Sequence, residues 1–63
     1  MTEKDKQKMH WAMHELRKKG ASSSVIADSV YSYEQTDKTI KILKKHPNIT
    51  LREYLEITGI EDE

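Results

Sequence analysis

Along this 63-residue chain, hydroxyl residues recur three positions ahead of an acid or an amide. Thr2–Asp5 reads T-x-x-D, Ser32–Gln35 reads S-x-x-Q and Thr50–Glu53 reads T-x-x-E. Each spacing marks a helix start, because the hydroxyl oxygen accepts from a first-turn N–H that has no partner inside the helix. Ser22, Ser23 and Ser24 offer a further cap. Stops follow at matching intervals. Gly20 and Gly59 suit a left-handed C-terminal position, and the residue before Pro47 is pushed out of the helical region. The caps and stops predict an all-α fold, a small bundle of three or four short helices over about 4–19, 23–31, 33–46 and 50–58.

The apolar residues repeat at helical spacing. Met9, Ala12, Met13 and Leu16 line one face of the first helix, with Arg17, Lys18 and Lys19 in its last turn, where the helix dipole favours cations. Val25, Ile26 and Val30 mark the second helix, and Ala27 beside Ile26 would let another helix approach. Tyr33, Thr36, Ile40 and Leu43 form the stripe of the third, with Ile42 to one side and Lys38, Lys41, Lys44 and Lys45 mostly off it. Leu51, Tyr54, Leu55 and Ile57 make the buried side of the last, and Ile60 folds back on it. The expected core is Met9, Met13, Leu16, Ile26, Val30, Ile40, Leu43, Leu51, Leu55 and Ile60. Two other readings of the centre stay open: one long helix over 23–46, or a short strand at 29–33. The break near Tyr31–Ser32 is preferred because serines and β-branched residues lower helix propensity there.

A chain of this length makes one domain, 1–63, with a marginal core. It has no cysteine, so disulfides and a cysteine zinc site are excluded; well-packed helices or self-association remain as remedies, with a homodimer as the default expectation. Hydrophobic content is 35 % but clustered, which favours a folded amphipathic protein over a disordered one. No apolar run approaches the roughly 20 residues of a membrane span. The charged start MTEKDKQK has no apolar segment behind it, so no secretory signal is expected and the cytoplasm is the default location. Net charge is zero, yet residues 1–47 carry ten Lys/Arg against six Asp/Glu, while 48–63 carry Arg52 against five acids and end in an acidic stretch at 61–63. A basic body of this kind suits an anionic partner; a solvated, solubilising surface is the plainer account.

The stretch Ser22–Ile42 resembles the helix-turn-helix of small phage and bacterial regulators. Ile26, Val30 and Ile40 fall at its core positions and Ala27 at its small position. Tyr31 and Ser32 depart from the usual turn, and Asp37 stands at a core position. The resemblance implies a DNA-binding transcription regulator with a helix-turn-helix-like centre. Gln35 and Lys38 would read base edges of double-stranded DNA from the start of the recognition helix. Lys41, Lys44, Lys45 and the Arg17, Lys18, Lys19 run would hold phosphates. Glu34 and Asp37 work against this, since they repel phosphate. A second resemblance, at Ile49–Ile60, matches the first helix and turn of the same motif in Gly59 and Ile60. It departs at Leu55 and has no second helix after it, so this segment is read as a packing helix and dimer contact.

The alternative function is a protein-interaction module, a small inhibitor or anti-repressor docking through a helix face with Trp11 and Tyr54 as contacts. Trp11 lies off the first apolar face, and closing the edge of a small core is the preferred reading for it. His10 and His14 are four apart, short of the roughly four ligands of a closed metal site, and Trp11 breaks an H-E-x-x-H pattern. No cofactor and no metal are expected. No nucleophile elbow or Gly-rich phosphate loop is present, so an enzyme is not expected.

Overall fold

The computed structural model describes residues 2–61. Four helices make it up: α1 (Glu3–Lys18), α2 (Ser23–Ser29), α3 (Tyr33–Lys45) and α4 (Leu51–Thr58), with no strand among the described residues. Each begins where a hydroxyl can cap it. The side-chain oxygens of Thr2, Ser22, Ser32 and Thr50 accept from the backbone N–H of Asp5, Val25, Gln35 and Glu53 at 3.1–3.3 Å. A cap of this type stabilises by ~1 kcal/mol. Only at α4 is the reciprocal box complete, where Thr50 N–H donates back to Glu53 Oε1 at 3.2 Å.

The ends are equally local in origin. At the end of α1, the N–H of Gly20 donates to the Arg17 carbonyl and that of Ala21 to the Leu16 carbonyl, both at 3.0 Å. This is the paired bonding of a Schellman stop, and it needs the left-handed φ of +90° that Gly20 supplies. Gly59, at φ +73°, ends α4. The preferred break is present: Val30 leaves helical geometry, and Ser32 is extended (φ −145°, ψ 165°) as it caps α3. The acidic stretch at 61–63 lies outside the described residues except for Glu61, which is exposed.

Leu16, Val25, Ile26, Leu43, Ile49 and Tyr54 form the buried centre, with Met13, Ala21, Ile42, Leu51, Leu55 and Ile60 packed against it. Of the expected core, Leu16, Ile26, Val30 and Leu43 are buried, while Met9, Met13, Ile40, Leu51, Leu55 and Ile60 are half-buried. Four expectations change. The buried row of α3 is Thr36, Thr39 and Leu43 rather than Tyr33, Thr36, Ile40 and Leu43. Taking Thr39 instead of Ile40 rotates the row and leaves Tyr33 exposed. On α2 the buried set is Val25, Ile26, Ser29 and Val30. Ala27 falls off that row into solvent, so it admits no neighbouring helix. Ile57 lies about 100° around α4 from the row of Leu51, Tyr54, Leu55 and Thr58 and is 58 % exposed. Tyr54, one of the two proposed partner contacts, is 0 % exposed and belongs to the interior.

Candidate nucleic-acid interface

Two cross-helix contacts set α1 against α3. Lys8 Nζ lies 3.9 Å from Asp37 Oδ1, and Lys44 Nζ lies 5.8 Å from the centroid of the Trp11 ring. The contacts ascend together along both chains, so the helices run in the same general direction. Between them is a shallow groove lined by Lys4, Gln7, Lys8, Trp11, Ile40 and Lys44. It continues into a hollow lined by Lys8, Asp37, Ile40, Lys41, Lys44 and Lys45. Trp11 and Ile40 are the apolar members of this lining, beside five lysines and the single carboxylate of Asp37.

The helical period explains the gathering. Positions 4, 7, 8 and 11 fall on one strip of α1, and positions 37, 40, 41 and 44 on one strip of α3. Packing α1 against α3 brings the strips to a common edge, where both line one groove. Trp11 is 37 % exposed and lines the groove at that edge. An ammonium over an exposed indole is worth about 0.5–1 kcal/mol, enough to bias the Lys44 side chain without tying it down.

The residues proposed for DNA contact divide. Lys41, Lys44 and Lys45 line the groove. Lys38, also exposed, pairs with Glu34 at 3.7 Å. Gln35 is half-buried in a separate hollow with Ile42, Ile57 and Thr58, which Lys38 and Lys41 also line. It therefore keeps company with Lys38 and Lys41 but not with Lys44 and Lys45. The Arg17–Lys19 run does not act as one patch. Arg17 is exposed, and Lys18 pairs with Glu15 at 3.1 Å. Lys19 turns inward and donates to the Ile49 carbonyl at 2.6 Å, tying the end of α1 to the α3–α4 connection. Its ammonium serves the fold, because the half-buried carbonyl needs a donor. Asp37, a core position of the resemblance, is exposed, so the α2–α3 packing differs from the register that resemblance implied.

Two groove residues, Lys4 and Lys8, were not anticipated. Their spacing with Trp11 was a usable signal, but nothing local tells which neighbour will face that strip. His10 and His14 are both exposed, and no group of three or more His, Cys, Asp or Glu able to hold a metal ion occurs among the described residues. No helix among them is long and apolar enough to cross a membrane.

Comparison with protein families, curated proteins and solved structures finds no match for this chain.

Proposed function

We propose that this chain is a small non-enzymatic DNA-binding protein, a transcription regulator of the kind that phages and mobile elements encode, which engages DNA through the α1/α3 groove. The observation that carries the reading is the convergence of Lys4, Lys8, Lys41, Lys44 and Lys45 on one edge in a chain of zero net charge. Concentrating cations on one face is the electrostatic footprint of phosphate binding. The acids of α3 weigh against it less than their number suggests. Glu34 lies beside Lys38 and Asp37 beside Lys8, so each is partly neutralised. The lysines of the last turns of α3 have no acid between them. In this reading Lys41, Lys44 and Lys45 hold phosphates together with Lys4 and Lys8. Base reading by Gln35 and Lys38 would require the start of α3 to turn into the major groove. A homodimer would double the phosphate contacts of so small a surface.

The test is a duplex DNA titration at about 50 and 200 mM salt. Affinity should fall with salt at a slope near −0.9 per phosphate contacted. Lys41→Ala and Lys45→Ala should each reduce both affinity and slope, with melting temperature unchanged, whereas Lys18→Ala should not. Absence of binding at low salt would overturn the reading.

One observation favours a protein partner instead. Tyr31 is 75 % exposed and lines a hollow with Gln35, Thr58 and Ile60, and the exposed Ile57 sits in the adjoining one. A helix-binding module would use that side, and Tyr31→Ser with Ile57→Ser would abolish its binding while leaving DNA affinity intact.

A further inference from the structure

We infer that the α1/α3 groove takes an unpaired stretch of DNA, with a base stacked on Trp11 and its flanking phosphates on Lys8 and Lys44. This deepens the DNA-binding reading and rests on it. A surface that only follows the backbone of a duplex needs charge and nothing more, because the faces of paired bases are covered by their neighbours. This groove sets the apolar Trp11 and Ile40 among five ammonium groups, with the Asp37 carboxylate beside Lys8 as the one acid of its lining. Lysines around an exposed aromatic ring are the arrangement by which proteins hold single strands, since every base has a π-face to stack. Trp11, which lines the groove, keeps 37 % of its surface open to solvent. Lys44 already stands 5.8 Å from the ring centroid, within reach of a phosphate next to a stacked base. Its flexible stem can move the ammonium off the ring and onto that phosphate. Gln7, on the same rim, carries both a donor and an acceptor for the edge of any base. Stacking supplies affinity without sequence preference, so the groove would favour open ends, bubbles and gaps over particular sequences.

Trp11 is the one tryptophan of the chain, which makes its fluorescence a direct report on the groove. The experiment titrates the full chain with an oligothymidylate of about 12 nucleotides and with a fully paired duplex of the same nucleotide count, at low salt. The inference expects the single strand to bind about tenfold more tightly and to quench Trp11 on binding. Trp11→Phe should keep most of the preference, and Trp11→Leu should lose it. Circular dichroism shows whether each variant is folded, and the wild-type quench carries the test if Trp11→Leu is not. Equal or tighter duplex binding, or single-strand binding without quenching, overturns this inference and leaves the DNA-binding reading standing. Binding to neither overturns both.

Discussion

The hydroxyl of Tyr54 donates to Ser29 Oγ at 2.6 Å in the interior, joining α4 to α2 across 25 residues of chain. Ser29 Oγ donates on to the Val25 carbonyl at 2.8 Å, and Thr39 Oγ1 donates to the Ser29 carbonyl at 2.9 Å. With one proton per hydroxyl, the 3.1 Å approach of Thr39 to Tyr54 is the weakest contact of the set. All three side chains are 0 % exposed, and no buried side-chain N or O among the described residues lacks a partner. Three helices thus meet on a polar cluster in which each member supports the next.

Tyr54→Phe should therefore destabilise the fold by about 1–2 kcal/mol, because it removes the donor to Ser29 and leaves that oxygen short of one partner. For a domain of this size that is a drop in melting temperature of roughly 4–16 °C. Ser29→Ala should cost a similar amount, and the double variant less than the sum, since both changes break the same bond. Additive losses in thermal melts would mean the two hydroxyls act independently.

The helix boundaries were legible because caps and stops act within three or four residues. Thr2, Ser22, Ser32 and Thr50 hold their helices with their own side chains, and Gly20 and Gly59 end theirs. The buried polar residues were not legible. Ser29 and Thr39 look like surface positions to any apolar pattern, and their burial is tolerable because Ser29 Oγ donates to the Val25 carbonyl and Thr39 Oγ1 to the Ser29 carbonyl. That same unseen partnership hid the true row of α3, which runs through Thr39. At the candidate site, Lys41, Lys44 and Lys45 were found from α3 alone. Lys4 and Lys8 needed the packing of α1 against α3, and the inward turn of Lys19 needed the position of the Ile49 carbonyl.

Lys19→Met should separate a structural cation from a binding one. The substitution keeps most of the apolar stem but removes the donor to Ile49. Stability should fall by about 1 kcal/mol, while DNA affinity stays within about twofold because the ammonium is already engaged. Lys41→Ala should show the reverse. A Lys19→Met protein of wild-type melting temperature but weakened binding would place Lys19 in the interface after all.

Acid should reveal the capping box of α4. The backbone N–H of Thr50, followed by its hydroxyl, holds the Glu53 carboxyl below its ordinary value of 4.5, with His46 adding a little. A carboxyl lowered in the folded state stabilises fully above its unfolded pKa and loses that contribution as pH falls through the folded value. Glu53→Gln should therefore melt below wild type at neutral pH, with the gap closing as pH drops below 4.5. A gap that is constant from neutral to acid pH would show that the charge of Glu53 plays no part in the cap.

Asp37→Asn is the change expected to improve the candidate site. Asp37 is the one carboxylate lining the lysine groove among the described residues, and its 3.9 Å pairing with Lys8 occupies one of the five cations. The pair is exposed on both sides, 48 % for Lys8 and 57 % for Asp37, so breaking it should cost no more than ~1 kcal/mol of stability. Neutralising it does two things for a bound phosphate. It removes a repulsion worth a fraction of a kcal/mol at high effective dielectric, equivalent to about two- to threefold in affinity. It also frees Lys8, which can then add about one unit to the salt slope. Both gains should be visible at about 50 mM salt and fade toward 200 mM as screening grows. Glu34→Gln is the control, because Glu34 sits outside the groove beside Lys38. An Asp37→Asn protein that binds no tighter than wild type, beside a Glu34→Gln protein that does, would move the DNA from the α1/α3 groove to the start of α3, where Gln35 and Lys38 stand.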